Sequence, residues 1–267
     1  MYKSNRIAVV MPIHNEEDNV AGAIDRVPSF VDVIIAIDDA SSDDTWRRLR
    51  GIKQRRVLRL RHEQNGGVGA ATKTGYRRAL EMDVDLIVVM DGDGQMAGQD
   101  LGRLLDRAID GADYVKGNRF LDLETISRMP ALRRVGNIVL SWLTRLAARY
   151  HGSLDAQCGY TVIHRSALRR IELDRLYDRY GFPNEMLFAA LRARLEVASV
   201  PVQSVYGNEV SGINPFTVLP AILWLIAKGS VGRMRDPGTV ESVGNSFLNI
   251  ARATRWTPRG SERAPQA

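Results

Sequence analysis

Short apolar runs recur through the first third of the chain, and they constrain the fold more than any other feature. They predict strands at Ile7 to Met11, Val33 to Ile37, Val57 to Leu60 and Leu86 to Met90. The runs IAVVM, VIIAI and LIVVM contain no polar residue, which is typical of strands that helices cover on both faces. A mainly parallel sheet is therefore expected.

Helical patterns separate these predicted strands. Glu17 to Val27, Ser42 to Arg50 and Gly69 to Met82 are predicted helices. After the fourth strand, apolar residues return at helical spacing at Leu101, Leu104, Leu105, Ala108 and Ile109. This alternation of strands and helices predicts a Rossmann-like α/β fold with helices flanking the sheet.

Polar segments follow three of the predicted strands. PIHNEE follows the first strand, DDASSDDT follows the second and DGDGQ follows the fourth. In open α/β sheets, ligands bind beyond the carboxyl ends of the strands. We therefore expect the three acidic segments to converge at one edge of the sheet and to form the functional site there.

The second half of the chain is less regular. Leu132 to Tyr150 is a predicted helix whose apolar face is surrounded by arginines, Asn184 to Arg194 is a further helix, and Val197 to Val202 is a strand. The Arg-rich helix has two interpretations, because a basic face bearing Trp142 suits an anionic membrane surface, whereas its apolar residues also suit ordinary core packing.

The C-terminal part divides into two further segments. Phe216 to Ala227 is the most apolar stretch of the chain, but it is shorter than the roughly 20 apolar residues that span a bilayer, and Pro220 interrupts it. It predicts a buried or interfacial helix, and self-association through the same apolar face is a further option. We expect a main domain over residues 1–212, a helical segment over 213–254 that is a candidate for membrane contact, and a disordered tail over 255–267.

The chain carries an excess of basic residues. Its formal net charge is +6 and its isoelectric point is near 9.7, which indicates an anionic partner such as a nucleic acid, an anionic membrane or a phosphorylated substrate. No DNA-reading or RNA-reading motif is present, and the basic residues are not interleaved with aromatic stacking residues. We therefore expect no nucleic-acid partner.

Cysteine content and the N-terminal sequence bear on the cellular compartment. Cys158 is the single cysteine and cannot form an internal disulfide, and MYKSNR leads into IAVVM without the apolar stretch of a secretory signal. A cytoplasmic protein is expected.

Asp91, Gly92 and Asp93 place two carboxylates at the end of a buried strand, with Gln95 close behind. Mg²⁺ and Mn²⁺ prefer carboxylate, amide and water oxygens, and a metal held in this loop can bridge a diphosphate. The alternative is that Asp-Gly pairs form an ordinary turn after the strand.

A second acidic group follows the second predicted strand. Asp39 is a candidate for hydrogen bonding to a base or ribose, beside Asp38. Asp43 and Asp44 are better explained by the start of the following helix, where carboxylates interact favourably with exposed N–H groups.

The segment NGGVGAATK, from Asn65 to Lys73, invites comparison with phosphate-binding loops. A Walker A loop needs Gly directly before the Lys, where Thr72 stands, and the dinucleotide pattern needs a Gly at Thr72 and should follow the first strand. Both interpretations fail. A Gly-rich entry to a helix remains, with Lys73 as a candidate for ligand contact.

Together these motifs resemble glycosyltransferase family 2, and within it the polyprenyl-phosphate sugar synthases typified by dolichol-phosphate mannosyltransferase. The matching segments lie between Ile7 and Asn214 and are VMPIHNEEDNV, AIDDASSDDT, NGGVGAATKTGYRRAL, VVMDGDGQM, KGNRF, LDAQCGY and NEML. The resemblance implies a GT-A fold and an inverting, metal-assisted transfer from a nucleoside diphosphate sugar, by an enzyme peripheral to the cytoplasmic face of a membrane.

The resemblance also implies roles for individual residues of the donor site. It implies a nucleoside pocket lined by Pro12, His14, Glu16, Ile37 and Asp39. It implies that Mg²⁺ or Mn²⁺ and the diphosphate are held by Asp91, Gly92, Asp93 and Gln95.

Two arginines match diphosphate-binding positions of the family. These are Arg119 in KGNRF and Arg133, which is a better match than the adjacent Arg134. The planar fork of arginine can hold phosphate oxygens bidentately. A solvated basic face is the alternative for both residues.

The acceptor side is implied by the segment around Asp155, Gln157, Cys158 and Gly159, and by Glu185 at the start of a helix. Asp155 and Glu185 are the candidate bases, although a helix-start charge is the alternative for Glu185. Cys158 is expected to be a packing residue. Three histidines show no metal-ligand spacing and are expected to be incidental to function. They are His62, His151 and His164.

The chain departs from the synthases in its C-terminal part. Tyr206 stands where the synthases typically have an Arg, Ser211 is followed by Gly212 rather than Lys, and Thr161 replaces a common Arg. These departures leave the family assignment intact but leave the donor and acceptor open.

The acceptor determines whether a base is needed. An oxygen of a polyprenyl phosphate is already anionic and attacks without one, whereas a sugar hydroxyl must lose its proton to a carboxylate. Three hypotheses remain: transfer of a hexose to a polyprenyl phosphate, transfer to a glycan or small soluble acceptor, and a non-catalytic nucleotide-binding scaffold.

Overall fold

A seven-stranded sheet forms the centre of the protein. The computed structural model describes residues 1–129, 131–150, 152, 155–204, 220, 223, 224, 226 and 227, without the side chains of residues 123, 128 and 131–133. In chain order the strands are β1 (Ile7–Ile13), β2 (Val33–Asp38), β3 (Val57–Arg61), β4 (Leu86–Val89), β5 (Tyr114–Asn118), β6 (Thr161–His164) and β7 (Val197–Pro201).

The strands lie in the order β3-β2-β1-β4-β6-β5-β7. β1 pairs in parallel with both β2 and β4, and β2 pairs in parallel with β3. β6 is antiparallel to its neighbours β4 and β5, whereas β7 is parallel to β5. The carboxyl ends of β1, β2, β4 and β5 therefore lie at one edge of the sheet.

Helices cover both faces of this sheet. In chain order they are α1 (Val20–Asp25), α2 (Thr45–Gly51), α3 (Val68–Leu80), α4 (Leu101–Ile109), α5 (Leu123–Arg128), α6 (Ala131–Ala148), α7 (Arg165–Leu168) and α8 (Phe182–Arg192). Alternate residues of each strand point to opposite faces. In β1, Val9 packs with α1, α2 and α4 in one core, and Val10 packs with α3, α7 and α8 in a second.

The prediction of a mainly parallel sheet from the apolar runs is confirmed. All four predicted strands of the first third are present, and each deviates by no more than a few residues at its ends. The expected alternation breaks at β5 and β6, which the apolar pattern of the sequence does not predict. β5 carries the fully buried Lys116, and β6 has only the four residues of TVIH, so neither resembles a long apolar run.

The first predicted helix begins later than expected. α1 starts at Val20 rather than Glu17, because the preceding backbone bonds to the loop after β2. The amide of Glu16 donates to Thr45 Oγ1 at 2.7 Å, and that of Glu17 donates to Asp43 Oδ2 at 3.2 Å. Asp43 Oδ1 also accepts from the amide of Thr45 at 3.0 Å, as expected for a residue at a helix start.

The glycines at the start of α3 allow close packing. A Cβ on Gly69 would lie 2.3 Å from the carbonyl oxygen of Tyr177, and one on Gly75 would lie 2.2 Å from Val10 Cγ1. Gly67 has a φ of 95°, which other residues rarely adopt. These contacts favour the structural interpretation of the Gly-rich segment.

The C-terminal predictions fall mostly outside the described residues. This applies to the helical segment over 213–254, to the tail over 255–267, to His151, and to the departures at Tyr206, Ser211 and Gly212. Within the described residues, no helix has the length and apolarity needed to cross a membrane.

Candidate active site

The acidic loop after β4 is fixed to β1 beyond the end of the strand. The amide of Met90 donates to the carbonyl of Val10 at 3.1 Å, and that of Gly92 donates to Pro12 at 3.2 Å. Asp93 Oδ1 accepts from the amide of Gln95 at 2.9 Å. The backbone therefore holds the loop with its carboxylates at the carboxyl edge of the sheet.

Gly159 keeps space free beside this loop. A Cβ at this position would lie 3.1 Å from Asp91 Oδ2 and 3.3 Å from the terminal methyl of Met96. The backbone before β6 can approach Asp91 because no side chain intervenes.

Three carboxylates at this edge, those of Asp91, Asp93 and Glu16, are close enough to interact electrostatically. Burial, followed by the negative charges of Asp93 and Glu16, raises the pKa of Asp91 to about 7, and the positive charge of Arg119 opposes the shift. The loops after β1 and β4 therefore converge, as predicted from the sequence, and a cation would relieve the repulsion between their charges.

The oxygen donors of the loop suit Mg²⁺ or Mn²⁺. Among the described residues, no group of three or more His, Cys, Asp or Glu side chains forms a ready-made metal site. Magnesium is commonly held by only one or two carboxylates together with substrate phosphates, and Asp91 and Asp93 supply those two carboxylates. The donor set therefore fits an ion that arrives with a diphosphate.

Asp39 is the centre of a hydrogen-bond network at the end of β2. Its carboxylate accepts from the amides of Gly66 and Gly67 at 2.9 and 2.7 Å. His62 Nδ1 lies 2.6 Å from Asp39 Oδ1, and His62 Nε2 lies 2.9 Å from Thr74 Oγ1. His62 therefore holds the Asp39 carboxylate, a contact that the sequence does not reveal because the two residues are 23 positions apart and no spacing rule connects them.

Two further residues of the predicted nucleoside pocket, His14 and Ile37, differ in where the structure places them. His14 Nδ1 lies 2.9 Å from the carbonyl oxygen of Asp39, so the loops after β1 and β2 meet. Ile37 is fully buried, and its side chain packs toward Gly75 of α3. The structure therefore does not bring the Ile37 side chain to the pocket, because alternation along β2 directs it into the core.

Arg119 and Asp155 form a buried, bidentate ion pair. Arg119 Nε lies 2.6 Å from Asp155 Oδ2, and Nη2 lies 3.0 Å from Oδ1. Arg119 directly follows β5, and its charge acts on Asp91. The pair thus adjoins the acidic loop, a relationship that the separate sequence motifs do not reveal.

Glu185 lies in the first half of α8 and is buried. Its Oε2 accepts a hydrogen bond from the amide of Tyr177. It lines a cleft of about 330 Å³ together with residues 175–179 and Trp224. Glu185 therefore faces a cavity rather than only the start of its helix.

Tyr180 was not identified from the sequence, and no motif points to it. Burial raises the pKa of its hydroxyl, and the charges of Asp91, Glu16 and Asp93 raise it further. The side chain is nevertheless half-exposed. Tyr180 thus stands beside the carboxylate cluster and close in sequence to the wall of the Glu185 cleft.

Two other candidate residues interact with groups inside the protein. Lys73 Nζ is buried, donates to the carbonyl of Leu176 at 3.0 Å and lies 2.6 Å from Asp178 Oδ1. Cys158 is buried in the core, and burial raises its thiol pKa to about 11, which makes it a poor nucleophile. The side chain of Arg133 lies outside the described part of the chain.

A mainly parallel α/β sheet with an acidic loop at its carboxyl edge is the arrangement of a glycosyltransferase with a GT-A fold. Residues 8–172 match glycosyl transferase family 2, and the chain belongs to this family.

Its relatives include enzymes named for lipid phosphates. A UDP-N-acetylglucosamine–dolichyl-phosphate N-acetylglucosaminyltransferase of Methanococcus voltae is 31% identical, over 75% of this chain and 86% of the relative. An undecaprenyl-phosphate mannosyltransferase of Micrococcus luteus is 31% identical, over 75% and 84%.

A solved structure shares the fold. Glucosyl-3-phosphoglycerate synthase of Mycobacterium tuberculosis, in complex with Mn²⁺, UDP-glucose and phosphoglyceric acid, superimposes with a TM-score of 0.62 at 18% identity, over 85% of this chain and 80% of that one. The predicted GT-A fold is confirmed.

Proposed function

We propose that this glycosyltransferase transfers a hexose from a nucleoside diphosphate sugar to a polyprenyl phosphate and inverts the anomeric configuration. The observation that carries the proposal is the convergence of Asp91, Asp93, Glu16 and Arg119 at one edge of the sheet. The relatives named for dolichyl and undecaprenyl phosphate support a lipid phosphate as the acceptor.

The nucleoside is assigned to the pocket between the loops after β1 and β2. Pro12, His14, Glu16 and Asp39 line it, and Ile37 contributes only to the wall behind. His62 holds the Asp39 carboxylate from one side and two backbone amides hold it from the other. The network fixes the position of Asp39 before the donor binds, so less ordering is needed on binding.

The diphosphate is assigned to the acidic loop and Arg119. Asp91, Asp93 and Gln95 would hold Mg²⁺ or Mn²⁺, with Gly92 giving the loop its close approach to β1. A bound divalent ion neutralises the charge of the departing nucleoside diphosphate. Arg119 is buried and supplies a fixed positive charge, which Arg133 is proposed to supplement.

Asp155 is assigned to positioning rather than to proton transfer, because Arg119 occupies both of its carboxylate oxygens. The acceptor is assigned to the cleft lined by Glu185. The carboxylate of Glu185 also accepts a hydrogen bond from the amide of Tyr177. A phosphate oxygen attacks the anomeric carbon from the face opposite the leaving group and needs no base. With a hydroxyl acceptor, Glu185 would be the group to take the proton.

A polyprenyl phosphate is a membrane lipid, so the proposal includes peripheral contact with a membrane. The early apolar runs of the chain form the buried sheet, and no described helix could cross a bilayer. We propose that the enzyme works at the cytoplasmic face of the membrane.

The test begins with the donor. Calorimetric titrations with GDP-mannose, UDP-glucose and UDP-N-acetylglucosamine in the presence of Mn²⁺ should show binding of one donor, and this binding should be lost in Asp93→Ala. Asp110→Ala, which removes an exposed carboxylate after α4, is the matched control and should bind normally. No binding of any donor to the folded protein would favour the scaffold hypothesis.

The acceptor is tested next with the donor that binds. Radiolabelled sugar should move to a short-chain prenyl phosphate in water, and the product should carry the inverted anomer. Transfer only to glycans or to small soluble hydroxyl acceptors would replace the lipid-phosphate proposal, and Glu185→Gln would then abolish activity.

A further inference from the structure

Helix α6 has its polar and apolar sides reversed relative to a helix that packs on a protein core. Its inner side carries small or hydroxyl residues, and Ser141, Thr144 and Ala148 are buried. Its large apolar residues face outward, with exposed fractions of 57, 49, 49, 59 and 64% for Val135, Ile138, Val139, Trp142 and Leu146. These five residues are called the α6 stripe below.

The α6 stripe is a continuous surface. Its members recur at the three- and four-residue spacing that places side chains on one helical face. They make up half of the large hydrophobic residues exposed among the described part of the chain. Contiguous apolar surface of this kind marks an interaction site rather than random exposure.

The helix cannot simply turn this face inward. Ser141 Oγ accepts a hydrogen bond from the amide of Ala156 at 3.0 Å, and Thr144 Oγ1 bonds within the helix to the carbonyl of Leu140 at 2.7 Å. The inner side is also packed against α8. Rotation would break the bond to Ala156 and bury large side chains where small ones fit.

All charged residues of α6 itself are arginines. The helix sequence ALRRVGNIVLSWLTRLAA contains no acidic residue. At about 100° per residue, Arg134 and Arg145 lie along one edge of the stripe, and Arg149 directly follows the helix. An apolar face that bears Trp and is bordered by arginines matches an anionic bilayer interface.

We propose that the α6 stripe is the surface by which this enzyme docks on an anionic lipid bilayer. A second copy of the chain fits less well, because α6 supplies no acidic side chain that could pair with the arginines of a partner. A bilayer instead offers hydrocarbon to the stripe and lipid phosphates to the exposed Arg149. Arg134, whose Nη1 donates to the carbonyl of Ile126, and the half-buried Arg145 border the same face.

Docking through α6 brings the membrane next to the candidate active site. Ser141 binds the amide of Ala156, and the preceding residue Asp155 holds Arg119. The inference rests on the proposed function in one respect, that the acceptor is a membrane lipid. A polyprenyl phosphate in the docked bilayer would then lie beside the helix that supports the catalytic loop.

The test is a vesicle flotation assay with the full chain. Wild-type protein should float with vesicles of phosphatidylcholine and phosphatidylglycerol and much less with phosphatidylcholine alone. Trp142→Ser with Leu146→Ser should lower partition into the anionic vesicles by at least about tenfold. Leu121→Ser, which alters an exposed leucine outside α6, is the matched control and should leave partition unchanged.

A second pair of variants tests the charges. Arg149→Gln should weaken partition into anionic vesicles by about threefold to fivefold, and added salt should remove that difference. Arg50→Gln, at an exposed arginine of α2, should have no such effect. Equal flotation of wild type and the Trp142/Leu146 variant would overturn the proposal, as would a wild-type dimer that ignores vesicles and becomes monomeric in the variant.

Activity separates this proposal from the proposed function. The Trp142/Leu146 variant should transfer sugar normally to a short-chain prenyl phosphate in water and poorly to a long-chain polyprenyl phosphate in vesicles. Vesicle binding without any donor binding would refute the proposed function and leave the docking surface standing. Normal transfer by the variant to the vesicle acceptor would refute the docking role.

Discussion

Arg119 binds both carboxylate oxygens of Asp155, with Nε 2.6 Å from Oδ2 and Nη2 3.0 Å from Oδ1. Both side chains are buried, so each loses its hydration on folding and interacts with the other charged group instead. The arrangement connects the end of β5 to the segment before β6 and orients a guanidinium beside the acidic loop.

Breaking this pair should damage folding as well as activity. Asp155→Ala leaves a buried guanidinium without its carboxylate, and we expect a loss of about 3–5 kcal/mol in the free energy of unfolding. Urea denaturation measures this loss. The double variant Arg119→Met, Asp155→Leu should recover much of the stability and still lack transferase activity, whereas activity in the double variant would exclude Arg119 from catalysis.

Gly159→Ala should weaken metal-dependent donor binding. The added methyl would lie 3.1 Å from Asp91 Oδ2, so the carboxylate or the loop must shift by a few tenths of an ångström. We expect the Kd for the donor with Mn²⁺ to rise by about tenfold, since small displacements are costly at sites of fixed geometry. Calorimetry provides the measurement.

Gly51→Ala is the control for that substitution. Nothing lies within 4 Å of a Cβ added at Gly51, so donor affinity should not change. An unchanged Kd in Gly159→Ala would show that the space beside Asp91 is not used by the ligand.

His62→Ala should weaken donor binding without unfolding the protein. It removes the partner of Asp39 Oδ1, and a hydrogen bond to a charged group contributes about 1.5–3 kcal/mol. We expect roughly a tenfold loss of donor affinity, measured by titration on protein whose folding is checked by thermal denaturation.

His164→Ala is the matched control for His62. Its Nε2 lies 3.0 Å from the carbonyl oxygen of Ala108, far along the sheet from the Asp39 network. It should lose a similar amount of stability and keep its donor affinity. Equal donor affinities in both variants would refute the role of His62.

Lys116 should make stability depend on pH in the alkaline range. Burial lowers its pKa to about 8, whereas an unfolded lysine has a pKa near 10.4. Between these values the unfolded chain binds a proton that the folded chain does not, so the contribution of Lys116 to stability rises with pH. Below about pH 8 the folded protein keeps the buried charge of Lys116, and the loss of stability that this charge causes is then greatest.

The measurement compares wild type with Lys116→Met in urea at several pH values. The free energy of unfolding of wild type minus that of the variant should rise by on the order of 2–3 kcal/mol from pH 7 to pH 10. Burial raises the pKa of Cys158 to about 11, and its charge interacts with that of Lys116, so both proteins carry Cys158→Ala in this comparison. A difference that stays flat with pH would contradict the assignment.

The sequence by itself determined the parallel part of the sheet, β1 to β4, and the edge at which the site forms. Uninterrupted apolar runs such as IAVVM favour strands buried on both faces. Asp38 and Asp39 follow one such run, and Asp91 follows another. Because parallel strands end at the same edge, local pattern was enough to place the loops of these residues together. The resemblance in motifs then named the family, which the comparisons confirm.

Tertiary structure alone decided which side chains meet and which faces remain open. His62 reaches Asp39, and Arg119 reaches Asp155, across 23 and 36 residues of sequence, and such contacts depend on how strands are ordered rather than on spacing. The pattern around Trp142 fits both a core helix and an interfacial one. Only the packing of Ser141 and Thr144 inward shows that the apolar side faces out, because burial is a property of the assembled layers.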